Sequence, residues 1–296
     1  MTNRIIDIAN ASGKVKVHND QLIVEQQSLT SQAPLDEVGV LVLGHPHITI
    51  TGAVLAGLMA KGSSCIVCDG RHSPVGILLP LQSHHLQSER FSKQAESGLS
   101  VRKRLWRQLV RAKIGAQSRL LLAMHGDDAG LTALVPRVRS GDPDNQEAQA
   151  AVRYWKKLFG NREFRRGAEA GVENNYLNYG YGVLRATTGR AICAAGLHPG
   201  LGLHHHNRYD NFPLASDLME PFRPLVDKAV VELVQSREGM EQQLDTEAKR
   251  VIVAALIQRF TIKGEERTLF DILNRTASSL AKVYLGKRRT LILPEL

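Results

Sequence analysis

Apolar and polar positions alternate with a period near two over the first 80 residues, and the period then changes to a helical one. RIIDIAN, GKVKVHN and QLIVEQQ are rich in β-branched residues and are broken by Gly, Asn and Asp, which predicts short strands. LDEVGVLVLG, HITIT, CIVC and GILLPL continue that pattern, and TGAVLAGLMAK (51–61) interrupts it as a small apolar helix. An antiparallel β-rich domain with one covering helix is the expected arrangement for residues 1–80. A polar hinge follows over 82–100, with His84, His85 and Arg90 expected on a solvated surface.

From Val101 onward the spacing predicts helices. In VRKRLWRQLVRAKIGAQSRLLLAM the apolar stripe is Leu105, Trp106, Leu109, Val110 and Ile114. After the Gly141–Pro143 turn a helix should begin near Asp144 and bury Ala148, Ala151, Val152, Trp155, Leu158 and Phe159. Residues 174–195 form another long helix, ended by Gly196 with Pro199 beyond. Gly180, Gly182 and Gly189 inside it imply a closely packed neighbour, because each costs about 1 kcal/mol relative to Ala. Residues 225–235 and 245–260 read as helices, TIKGEERTL as a short hairpin and 269–284 as a last helix. The tail GKRRTLILPEL is basic and then apolar, suited either to a DNA-contacting or partner-docking end or to a merely solubilising one. The predicted class is α+β, with a small N-terminal antiparallel β domain (1–80) followed by a larger all-helical domain (81–296).

Composition sharpens this picture in three respects. No run of eighteen apolar residues occurs and the start, MTNRIIDIANASG, lacks a secretory design, so no membrane contact and a cytoplasmic address are expected. Three cysteines suit a reducing compartment, and Cys65 and Cys68 on a strand would point to opposite faces, which speaks against a metal or redox pair. Net charge is +9, yet residues 1–80 hold five basic and six acidic groups, leaving 33 and 23 to the remainder. A polyanion-binding region attached to a neutral one fits that asymmetry. Arg104, Arg107 and Arg111 recur at helical spacing, suited either to a solvated face or to a helix lying along phosphates.

The densest chemistry lies in HPGLGLHHHNRYDNFPLASDLMEPFRP, residues 198–224. His204, His205 and His206 offer imidazole nitrogen, and Asp217 and Glu220 offer oxygen. Phosphodiester transfer needs a cation on the phosphoryl oxygens and a nucleophile held in line, so such a set suits Mg²⁺ or Mn²⁺. Zinc is disfavoured, since adjacent histidines rarely face one ion and no H-E-x-x-H spacing is present. Glu147, far upstream, would supply a missing oxygen. By residue pattern alone the better reading of Glu147 is a capping box opened by Asp144, and that of Asp217 with Glu220 is a helix-terminal charge cluster before Pro221.

GLHPGLGLHHHNRYDNFPLASDLMEPFRPLVD resembles the signature of the CRISPR-associated integrase family, CRISPR-associated protein one, with DLMEPFRP its most specific run. NNYLNYGYGVLR, EAQAAVRYW and LWRQLVRAKIGAQ resemble the same family, particularly its type II branch, as do LDEVGVLVLGHPHITIT and SPVGILLPL. The resemblance implies a metal-dependent integrase that joins the 3′-hydroxyl ends of short foreign DNA to the border of a CRISPR repeat. It implies Glu147, His205 and Glu220 as metal ligands and Asp217 as a supporting carboxylate. His205 occupies the family position counted from Pro199 and Gly202 in P-x-L-G-x-x-H, and His204 departs from the family by replacing an apolar residue. His204, Asn207 and Arg208 would then shape the loop or meet DNA, together with Arg104, Arg107 and Arg111. Implied partners are double-stranded DNA, a second copy of the chain, the small CRISPR-associated protein two and, as an open question, an effector nuclease. Two rival readings are a stand-alone endonuclease on branched DNA and a non-catalytic DNA scaffold. The scaffold gains nothing from carboxylates set in a basic region.

Overall fold

The computed structural model describes residues 3–9, 11–27, 29–70, 72–160, 164–167, 171–204, 209–237, 243–262 and 264–295. The first part supplies β1 (Arg4–Ile8), β2 (Gly13–His18), β3 (Gln21–Gln26), β4 (Leu29–Pro34), β5 (Val38–Leu43), β6 (Ile48–Ile50), α1 (Gly52–Ala60), β7 (Ser64–Cys68) and β8 (Pro74–Leu78). Helices then follow as α2 (Gln87–Ala95), α3 (Leu99–His125), α4 (Gln146–Leu158), α5 (Val172–Ala194), α6 (Pro213–Met219), α7 (Arg223–Ser236) and α8 (Thr246–Ile257). The hairpin of β9 (Arg259–Ile262) and β10 (Glu265–Thr268) precedes α9 (Leu269–Tyr284). The α+β class expected from the pattern holds.

Strand pairing is mixed, where antiparallel pairing was expected. One sheet has the order β1-β5-β7-β8 and the other β4-β3-β2-β6. β1–β5, β5–β7 and β2–β6 are parallel. For β5–β7 the reason lies in α1, since parallel neighbours need a crossover of a dozen or more residues and α1 lies in that crossover; β1–β5 and β2–β6 are likewise joined through intervening strands. β4, which sequence reasoning missed, is an edge strand with its first four residues exposed, so no alternation marks it. The expected polar hinge contains α2, whose one buried residue is Gln94.

The first sheet divides the core. Leu41 and Cys65 face β2, β3 and α1 in one apolar cluster, while Val40, Val42, Ile66 and Cys68 face the helices in a larger one. Cys65 and Cys68 therefore point to opposite faces, as expected, and burial pushes both thiols up to about 12. α5 runs through the larger cluster against α6, α7, α8 and α9. Its glycines permit that approach: a Cβ on Gly180 would lie 2.4 Å from Val226, and one on Gly182 would lie 2.4 Å from Pro74. Among the described residues, no helix is long and apolar enough to cross a membrane.

Candidate active site

Glu147 reaches the site because α4 is capped by a residue other than the expected one. Asp142, at φ +50°, accepts the backbone N–H of Gln146 on Oδ1 and that of Glu147 on Oδ2, each at 2.9 Å. Asp144 instead accepts both arms of Arg139, at 2.7 and 2.8 Å. No Asp144–Glu147 capping box forms, and the Glu147 side chain is left to turn toward α3. Its Oε1 lies 2.7 Å from Lys113 Nζ. The buried stripe of α4 is Gln146, Ala150, Tyr154 and Leu158, whereas Ala148 and Val152, expected inside, are exposed. Tyr154 fixes that rotation by donating its hydroxyl to Asp227 at 2.7 Å.

Glu220 stands where the chain turns from α6 into α7. Pro221 and Pro224 lack the N–H that a continuous helix needs, and a 3₁₀ turn over Glu220–Phe222 results. That turn packs on α3. Glu220 Oε2 is 2.6 Å from Lys113 Nζ and Oε1 is 2.8 Å from Arg223 Nη2, with the Glu220 side chain only 3% exposed. Burial alone would lower the Lys113 ammonium's pKa, but Glu220 and then Glu147 outweigh it and hold it above the usual value. Arg223 also lies 4.6 Å over the Tyr181 ring. Behind it, the Tyr181 and Tyr154 hydroxyls both donate to the buried carboxylate of Asp227.

Asp217 does not share the direction of Glu220. It is fully buried, and its Oδ2 accepts the backbone N–H groups of Leu203 at 2.6 Å and His204 at 3.1 Å. It thus fixes the backbone immediately before His205. The His204 ring stacks flat on Trp106 of α3, with centroids 4.3 Å apart and planes within 6°. A second clamp comes from α2: Gln94 Nε2 donates to the carbonyls of His198 at 2.9 Å and Leu201 at 3.0 Å, and its Oε1 accepts the His198 N–H at 2.8 Å. His205, His206, Asn207 and Arg208 lie outside the described residues. Arg104, Arg107 and Arg111 are half-buried along α3, and Arg111 Nη2 donates to the Pro136 carbonyl at 3.1 Å.

Of the expected ligands, the structure brings Glu147 and Glu220 to one point and His205 lies outside the described residues; the expected supporting carboxylate, Asp217, accepts from the loop backbone. Sequence reasoning missed Lys113, Arg223 and Gln94. A signal for Lys113 was present, since it follows Trp106, Leu109 and Val110 at helical spacing on the apolar face. The donor set fits a hard divalent cation. Two carboxylates from separate elements already converge on a single positive nitrogen, and they offer the oxygens that Mg²⁺ and Mn²⁺ prefer. Among the described residues, no group of three or more His, Cys, Asp or Glu that could hold a metal occurs.

Comparison with known proteins places this geometry in context. The family model described as CRISPR associated protein Cas1 matches residues 8–263. A CRISPR-associated endonuclease Cas1 of Neisseria meningitidis serogroup C (strain 8013) is 32% identical over 299 residues, covering 100% of this chain and 97% of that one. Among solved structures, a casposase bound to integration product superposes with a TM-score of 0.81 at 18% identity, covering 98% of this chain and 92% of that one. A Cas6-RT-Cas1–Cas2 complex matches with a TM-score of 0.76 at 19% identity, covering 97% of this chain and 35% of that one.

Proposed function

The chain belongs to the CRISPR-associated Cas1 family, and on that premise we propose that it is a divalent-metal-dependent DNA integrase of CRISPR adaptation. The reaction is transesterification: a 3′-hydroxyl of a short incoming DNA attacks a phosphodiester at the repeat border, forming one P–O bond and breaking another. The observation that carries this reading is the convergence of Glu147 and Glu220 on one ammonium, from elements far apart in the chain.

Glu147, Glu220 and His205 would hold Mg²⁺ or Mn²⁺. When bound, such an ion polarises the scissile phosphate and stabilises charge on the departing oxygen. The chain's own residues do the rest. Asp217 and Gln94 fix the loop that carries His205, and Trp106 braces it through the His204 ring. Arg223, held on Glu220, would keep a positive charge beside the site where phosphate oxygens gain negative charge. Arg104, Arg107 and Arg111 would hold the DNA backbone without reading its sequence. Partners follow the family: a second copy of this chain, a Cas2 protein as in the complex named above, and DNA. An effector nuclease would be a further partner where one joins the assembly.

The test is joining of a short duplex with 3′-hydroxyl ends to a plasmid bearing a CRISPR repeat, in Mg²⁺ or Mn²⁺ with the Cas2 partner present. Joining should vanish on chelation and fall at least about 10²-fold in Glu147→Ala, His205→Ala and Glu220→Ala, as expected when an electrostatic catalytic group is removed. Full joining by Glu147→Ala or Glu220→Ala would sink the assignment.

A further inference from the structure

We infer that Lys113 is a tethered stand-in for the divalent ion: it holds the Glu147 and Glu220 carboxylates together in the metal-free protein and must withdraw for metal to bind. The inference rests on the metal-site reading above. Its Nζ sits 2.7 Å from Glu147 Oε1 and 2.6 Å from Glu220 Oε2. With Arg223 on the other Glu220 oxygen at 2.8 Å, two anions and two cations balance among the described residues, in a site where Glu220 is 3% and Lys113 13% exposed. A divalent ion added to that balanced set would leave an excess of positive charge in a poorly solvated place, which is costly. The same oxygens would also have to approach the ion to about 2.1 Å, which an ammonium already seated between them opposes. One of the two cations therefore has to leave.

Lys113 is the one free to do so. Arg223 is wedged with its guanidinium 4.6 Å over the Tyr181 ring and its Nη2 2.8 Å from Glu220 Oε1. Lys113 carries a compact charge on a four-carbon stem with no planar fork to unseat, so it can swing while α3 stays in place. It is no surface cation that has wandered inward, because it continues the apolar stripe of Trp106, Leu109 and Val110 on a helix running unbroken from Leu99 to His125. The role assigned is positioning and competition, and it accounts for a lysine on a buried helical face.

The experiment measures Mn²⁺ affinity of the full chain without DNA, by calorimetry or electron paramagnetic resonance, in wild type, Lys113→Met, Lys113→Arg and Glu147→Gln. Lys113→Met should bind Mn²⁺ about tenfold or more tightly than wild type, since the competing charge is gone. Its metal-free melting temperature should fall, and Mn²⁺ should raise it by more than in wild type. Lys113→Arg, with a fork that grips both carboxylates, should bind Mn²⁺ more weakly. Equal or weaker affinity in Lys113→Met overturns the inference while leaving the metal site intact, provided Glu147→Gln abolishes binding. If Lys113→Met does not fold, Lys113→Arg decides, and an affinity equal to or above wild type overturns the inference. No Mn²⁺ binding by wild type, or binding untouched by Glu147→Gln, removes the metal-site reading itself.

Discussion

Asp142 caps the helix that carries Glu147, its two carboxylate oxygens accepting the N–H groups of Gln146 and Glu147 at 2.9 Å each. The cap sets where α4 begins and therefore which way Glu147 faces. Asp142→Ala leaves two N–H groups unpaired and should cost about 1 kcal/mol of stability. Joining should fall more than stability alone explains, because Glu147 loses its fixed base. A melting curve and a joining assay on the same preparation check this. Unchanged joining with a lowered melting temperature would make the cap purely structural.

Gln94 and Asp217 hold successive pieces of the backbone that leads into His205, residues 198–201 and 203–204. Replacing Asp217 with Ala strands the buried N–H of Leu203 and the part-buried one of His204 and should cost about 1–3 kcal/mol. Gln94→Ala removes three hydrogen bonds to the 198–201 turn. Both variants should join DNA slowly while binding duplex DNA with near wild-type affinity, since neither side chain is placed to meet phosphate. Filter binding beside the joining assay separates the two effects, and a parallel loss of binding would count against a loop-positioning role.

Elements with strong periodicity were legible in the sequence, and those defined by distant partners were not. The last helix was read over residues 269–284 and found there, because its apolar spacing and its Thr268 cap are local features. β4 and α2 escaped because one is an exposed edge and the other buries little besides Gln94. The capping of α4 was misread since Asp144 has the usual offset from Glu147, while Asp142 reaches the same N–H groups only through the turn at Gly141–Asn145. Residue types identified the two glutamates as candidates. The helical spacing that sets Lys113 on the apolar face of α3 marks it as buried, but its carboxylate partners lie on other elements and local spacing does not name them.

Gly180 marks a tight crossing of α5 with α7 and α8. A Cβ there would sit 2.4 Å from Val226 Cγ1 and 2.8 Å from Ile252 Cγ2, so α7 and α8 would both have to move. Gly180→Ala should destabilise by about 1–3 kcal/mol despite its better helix propensity. The companion change Val226→Ala in the same chain should recover part of that loss by opening space. Denaturant unfolding of the single and double variants checks it. A stabilised Gly180→Ala would show that the crossing relaxes without cost.

Asp227 gives the protein a stability term that weakens on the alkaline side. Burial pushes its carboxyl up to about 6, against hydrogen bonds from Tyr181 and Tyr154 that favour the ionised form. The folded state thus keeps a proton that the unfolded chain releases near its ordinary value of 3.8. Stabilisation from this group is complete below that value and is lost as pH rises through about 6. A shift of about two units corresponds to roughly 3 kcal/mol between the two limits. Asp227→Asn removes the titration, although its amide accepts from only one side and so adds a constant penalty for the second tyrosine. The penalty does not vary with pH, whereas the wild-type term does, so the stability difference between the two proteins should shift in favour of the variant from pH 4 to pH 7. Chemical denaturation at four or five pH values in that range measures the difference directly, with all other titrating groups cancelling. Parallel stability profiles would mean that Asp227 titrates alike in the folded and unfolded chain.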